Sequence, residues 1–180
     1  MPTIVVPYRG DAKRRLPPEI RAAAALAMLG DVVEAASAVG DVLVVTDDRA
    51  VVPPGAVWVP DPGTGLGEAV AAALNQVEGH ALVVNADLPA ATPDAVARLA
   101  STGLALVAAA DGSTNALSLP DPGGFAPLYG PGSADRFRAH APFATARIPE
   151  LEADVDTLED LERVAASLGR RTRALLAVAA

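Results

Sequence analysis

A chain of 180 residues, 51% of them hydrophobic, is long enough for one substantial core and leads us to expect a single domain over 1–180. Its formal net charge of −8 argues against general affinity for DNA, RNA or an anionic membrane, all of which attract basic surfaces, so any basic residue that binds phosphate must act locally. With no cysteine, disulfides, thiolate metal sites and cysteine nucleophiles are excluded, and aromatics at 3% leave the core to Ala, Val and Leu.

The N-terminal MPTIVVP lacks the basic region and long apolar stretch of a signal peptide, and no segment approaches the ~18 uninterrupted apolar residues of a membrane span, so a soluble cytoplasmic protein is expected. Thr3 to Val6 reads as a first strand, and the loop through Gly10 and Lys13 leads to an Ala-rich helix from Pro18 to Val39. Val42 to Thr46 and Val57 to Val59 follow as strands, then a helix from Gly67 to Val77 and a central strand from Ala81 to Asn85. Thr92 is placed as an N-cap with Pro93 at the first helical position, and Leu104 to Ala109 returns as a strand. This alternation predicts parallel strands joined by helical crossovers. After Asp111 the pattern loosens into a Gly/Pro-rich stretch expected to hold loops and one short strand near Ala116 to Leu119; a loop region that long is more often functional than idle. Ser133 opens a helix running to His140. Thr157 with Asp160 resembles a capping box, and Leu158, Leu161, Val164 and Leu168 mark one helix face. Neither an internal repeat nor a domain linker is evident.

Five features could carry chemistry, each with a plainer structural alternative. Asp87 closes the string VVNADLP at a strand end, where an acid either holds Mg²⁺ against nucleotide phosphates or makes a turn before Pro89. Gly10, Lys13, Arg14 and Arg15 follow the first strand as a phosphate cradle or a solvated basic patch; their spacing is not that of a P-loop. Gly63, Gly65 and Gly67 precede a helix, as a loop lying against a base or ribose or as a helix-entry turn. Asp154 and Asp156 alternate along an extended segment and can share one face around a divalent cation; alternatively Asp156 caps the next helix and Asp154 is merely exposed. Thr114, Asn115, Gly130 and Ser133 offer hydroxyl, amide and backbone donors for an anion, or form turns with a cap. His80 and His140 form no ligand pair: His80 reads as a surface turn residue, and His140 reaches an anion only if its helix borders the site.

Taken together, AKRRL, LGEA, ADLP, STNAL, YGPGS and DVDTLEDL resemble the guanylyltransferases of deazaflavin coenzyme F-420 biosynthesis, which attach a guanylate to phosphoenolpyruvate or 2-phospho-L-lactate. The resemblance spans essentially the whole chain, and the pairing of TNAL with YGPGS is its most specific part. It implies an α/β, three-layer, Rossmann-like nucleotide-diphospho-sugar transferase (GT-A type) fold with a mostly parallel central sheet, related to molybdopterin guanylyltransferase. By motif, Asp87, Asp154 and Asp156 would be ligands of Mg²⁺. Lys13 and Arg15 would act with Asp87 on the triphosphate of GTP, Gly10, Lys13, Gly65 and Gly67 would bind the nucleotide, and Thr114, Gly130 and Ser133 would hold the three-carbon acceptor. The chain departs from the family pattern in a shorter loop between Pro7 and Ala12 and in Gly67, where Asn is common. Rival readings are another nucleotidyltransferase, acting on molybdopterin or a sugar phosphate, and a non-catalytic nucleotide-binding subunit that kept the fold. The sequence does not give the oligomeric state.

Overall fold

The computed structural model describes residues 1–10 and 15–179, with side chains to residue 177. In chain order the described elements are strand β1 (Thr3–Pro7), helix α1 (Pro18–Ser37), β2 (Asp41–Thr46), β3 (Val57–Pro60), α2 (Leu66–Leu74), β4 (Ala81–Val84) and α3 (Pro93–Ala100). They continue with β5 (Ala105–Ala108), β6 (Thr114–Leu119), α4 (Ser133–His140), β7 (Ala144–Thr145), α5 (Pro149–Glu152), α6 (Leu158–Arg163) and α7 (Arg170–Ala179).

The strands form one seven-stranded sheet in the order β3-β2-β1-β4-β6-β5-β7. The first four strands in this order pair in parallel, as the strand–helix alternation requires, and β7 runs parallel to β5. β6 differs: it lies antiparallel between β4 and β5. The expectation of loops with one short strand near Ala116 to Leu119 is therefore corrected to a six-residue interior strand, buried at every position. Thr114 and Asn115 read as loop, yet buried polar side chains are stable when paired, and those of this strand are: Thr114 with Ser133, Asn115 with the carbonyls of Leu151 and Glu152, Ser118 with His80. His80 is thus half-buried on a sheet partner, not simply a surface turn residue, and burial pushes its pKa down.

Helices cover both faces. Ala25 and Leu29 of α1 and Ala95, Val96 and Leu99 of α3 pack with Ile4, Val6, Val84, Val107 and Ala116 on one side. Val70, Ala73 and Leu74 of α2 and Ala134 and Phe137 of α4 pack with Val5, Val83, Leu106 and Leu117 on the other. A third cluster joins Leu16 and Met28 to Val155, Leu161, Val164 and Leu168. The single helix face expected from Leu158 to Leu168 is not formed: α6 ends at Arg163 and Leu158 is exposed, while a 3-10 turn at Ala165–Ser167 carries Leu168 back to the core. The Thr92 cap and the Thr157–Asp160 capping box are as anticipated.

Beyond the expected elements, α7 docks on α1. The Asp31 carboxylate in α1, 4% exposed, accepts the N–H groups of Arg171 and Thr172, each at 2.9 Å, so the first turn of α7 is capped from another helix. The approach is close enough that a Cβ on Gly169 would sit 2.3 Å from Asp31 Cγ.

Candidate active site

The parallel strands β1, β3 and β4 all end on one edge of the sheet, and their following residues supply Arg9, Asp61 and Asp87 to one cleft. The edge is where the chain turns from the β1-β2-β3 side to the β4-β6-β5 side, the crevice in which ligands of open α/β sheets bind. The cleft is walled by Ala25 and Met28 of α1, Leu66 and Ala69 of α2, Pro7, Tyr8, Asn85 and Ala86.

The three predicted metal acids come together here. One carboxylate oxygen from each of Asp87, Asp154 and Asp156 lies within 4.8 Å of the other two, and all three side chains are half-buried. The local cause is simple. Val155, fully buried against Leu16 and Met28, donates its N–H to the Asp87 carbonyl at 3.0 Å. With Val155 turned inward, the flanking acids of an extended segment turn the opposite way, toward Asp87. Capping of α6 falls to Thr157 and Asp160, not to Asp156: Asp160 accepts the Asp156 N–H at 3.0 Å and the Thr157 N–H at 2.8 Å. Burial and the neighbouring Asp87 charge hold the Asp154 carboxyl above its ordinary range, with Asp156 adding to the effect. Crowded acids of this kind suit a hard divalent cation, since the cluster found among the described residues is made of carboxylates alone and an all-oxygen donor set matches Mg²⁺ or Ca²⁺.

Arg9 and Asp61 were not singled out from sequence. The guanidinium grips the carboxylate through Nε at 2.9 Å and Nη2 at 3.4 Å, with the Asp61 side chain only 5% exposed. Asp61 also accepts the Gly63 N–H at 2.8 Å, so it shapes the glycine-rich turn. Burial alone would raise its carboxyl, but Arg9 and Gly63 outweigh that and hold it down. The available signal was its place: an acid followed by Pro-Gly at the end of a short strand. Tyr8 beside it is buried, and burial together with Asp48 and Asp47 pushes its phenol pKa up.

Thr114, Gly130 and Ser133 also come together. The Ser133 hydroxyl donates to the Thr114 hydroxyl at 2.9 Å, and the Ser133 N–H reaches the Gly130 carbonyl at 3.0 Å. Gly130 has φ +115 and Gly132, which precedes α4, has φ +68, backbone that side-chain-bearing residues rarely adopt. Arg136 fastens this loop by donating to the carbonyls of Leu128, Tyr129 and Pro131. A second pocket, lined by Thr64, Gly65, Leu66, Gly67, Glu68, Pro127, Tyr129 and Gly130, brings the glycine turn and the loop at Gly130 together. Gly67 is required there by packing, because a Cβ would lie 2.6 Å from Pro127 Cβ and 2.9 Å from its backbone. His140 contacts the Gly124 carbonyl at 3.3 Å rather than either pocket. Gly10 and Arg15 are exposed after β1; Lys13 and Arg14 lie outside the described residues.

A family model described as a MobA-like NTP transferase domain matches residues 21–169. The chain is 40% identical to a phosphoenolpyruvate guanylyltransferase of Nocardia farcinica, covering 90% of this chain and 82% of that protein. It is 36% identical to a 2-phospho-L-lactate guanylyltransferase of Haloferax volcanii, covering 89% and 83%. Among solved structures, a nucleotidyl transferase from Methanothermobacter thermautotroptrophicus superposes with a TM-score of 0.68 at 17% identity, covering 99% of both chains, a likeness of fold.

Proposed function

Because the chain belongs to the MobA-like NTP transferase family, and within it to the guanylyltransferases that its curated relatives represent, we propose that it joins GMP from GTP to the phosphate of phosphoenolpyruvate. The observation that carries this reading is the convergence of Asp87, Asp154 and Asp156, with Asp87 lining a cleft that shares Leu66 with the pocket lined by Gly130. An oxygen of the acceptor phosphate attacks the α-phosphorus of GTP, the bond to the bridging oxygen breaks, and pyrophosphate leaves. The nucleophile is already an anion, so the residues are needed for positioning and charge compensation and not for proton abstraction. That fits a site in which neither histidine borders the carboxylates.

In this reading Asp87, Asp154 and Asp156 hold Mg²⁺, which when bound neutralises phosphate charge and aligns the two anions. The nucleoside lies in the cleft between α1 and α2, and Gly65 and Gly67 offer backbone in the neighbouring pocket, which shares Leu66 with that cleft. Gly10, Lys13 and Arg15 meet the triphosphate. Thr114, Gly130 and Ser133 receive the carboxylate and phosphate of the acceptor. Phosphoenolpyruvate is favoured over 2-phospho-L-lactate by the higher identity to the Nocardia protein. The test crosses each of the four nucleoside triphosphates with both acceptors in the presence of Mg²⁺ and measures pyrophosphate. Release is expected with GTP and phosphoenolpyruvate; no release from GTP with either acceptor would sink the reading.

A further inference from the structure

In an unbroken strand Thr114 would share a face with Ala116, which packs with Val84 and Val107 on the α1 and α3 side of the sheet. It does not: its hydroxyl meets Ser133 at the start of α4, on the opposite side. The cause is a bulge. Val107 pairs with Ala116 while Ala108 pairs with Thr114, so Asn115 is the extra residue and its side chain is re-aimed toward α5.

Asn115 is 2% exposed, and its Nδ2 donates to the carbonyls of Leu151 at 3.2 Å and Glu152 at 3.1 Å, with Asp154 Oδ1 at the longer distance of 3.5 Å. An amide NH₂ has two protons, so these two carbonyls at the end of α5 use both. Its backbone carbonyl accepts the Asn85 N–H at 3.0 Å. One residue therefore grips the chain two positions before Asp87 and again two positions before Asp154. We infer that Asn115 is a positioning residue that fixes the separation of Asp87 from the Asp154–Asp156 segment so that the three carboxylates meet one divalent cation. It acts through the acids, and the inference rests on the metal-site reading given above.

The experiment measures Mn²⁺ binding by calorimetry and by the loss of the free-ion electron paramagnetic resonance signal, in the absence of substrates. Asn115→Ala is expected to weaken Mn²⁺ by about 10- to 100-fold, the usual effect of losing a partner that orients ligands. Turnover of the variant at low Mg²⁺ should fall and recover as Mg²⁺ is raised, and the Val155 amide should exchange hydrogen faster. Asn115→Ser, small enough to be housed and too short to reach Glu152, should behave alike if the alanine variant does not fold. The control is Ser118→Ala, which removes a buried hydrogen bond to His80 from the same strand; its Mn²⁺ affinity should match wild type. Wild-type affinity in the Asn115 variants, or equal weakening in the Ser118 control, overturns the positioning role. Failure of the wild-type protein to bind Mn²⁺ refutes the carboxylate site itself and is distinguishable from both.

Discussion

Asp87, Asp154 and Asp156 crowd one another, and the raised pKa of Asp154 reflects burial first and the neighbouring Asp87 charge second. Asp87→Asn should therefore abolish pyrophosphate release while leaving the cation-free protein folded and at least as stable as wild type, by up to about 1 kcal/mol, since one like charge is removed. Near-normal turnover would remove the metal assignment, and a drop in melting temperature would remove the repulsion argument. Asp160 illustrates the opposite balance. Burial would raise it, but the Thr157 hydroxyl, the N–H groups of Asp156 and Thr157, and Arg163 hold it down to about 2. A depressed carboxyl stabilises the fold above its unfolded pKa of about 4 and loses that contribution as pH falls from about 4 toward 2. Asp160→Asn should cost about 1–2 kcal/mol in urea unfolding at pH 7, and the gap from wild type should narrow at pH 3. A gap independent of pH would show that packing, not charge, is responsible. At this scale strand-end and alternating positions left Asp87 balanced between metal ligand and turn residue and favoured capping or exposure for Asp154 and Asp156; only the motif resemblance joined the three as a set. Asp61 was not legible, because its role depends on Arg9, far away in the chain.

The loops after β1 and β3 are joined by the Arg9–Asp61 pair, which also sets the turn leading into α2. Asp61→Asn keeps the shape and the Gly63 contact but weakens the grip on Arg9. We expect a KM for GTP raised about 10-fold or more with kcat changed less, because the pair walls the cleft proposed to take the nucleotide and is not part of the carboxylate cluster; steady-state kinetics with GTP varied would show it. A fall in kcat at unchanged KM would place the pair at the chemistry instead. The strand–helix alternation up to β5 was legible because each element has its own period or cap, and Thr92–Pro93 and Ser133 gave their helix starts without tertiary information. β6 was legible only in part. Its buried Thr, Asn and Ser look polar until partners from α4, α5 and the turn before β4 are known, and the bulge at Asn115 depends on pairing with β5.

Across the whole molecule, the candidate site is gathered from residues near 9, 61, 87 and 154, while α7 closes onto α1 through Asp31. Two long-range ties thus have different duties. Asn115 and the Val155–Asp87 hydrogen bond hold the carboxylates; Asp31 holds a helix whose described residues line neither pocket. Asp31→Ala strands the Arg171 and Thr172 N–H groups in a tightly packed junction, which should cost about 2–4 kcal/mol and lower the melting temperature by about 5–10 °C. Because well-separated sites contribute independently, Mn²⁺ affinity should stay within about two-fold of wild type, and the rise in melting temperature on adding Mg²⁺ with GTP should be preserved. Thermal melts with and without ligand separate the two duties. A variant that loses the ligand-induced rise along with its stability would mean that α7 reaches the carboxylates through Met28, which packs in one cluster with Val155, and that the two ties form one mechanical unit.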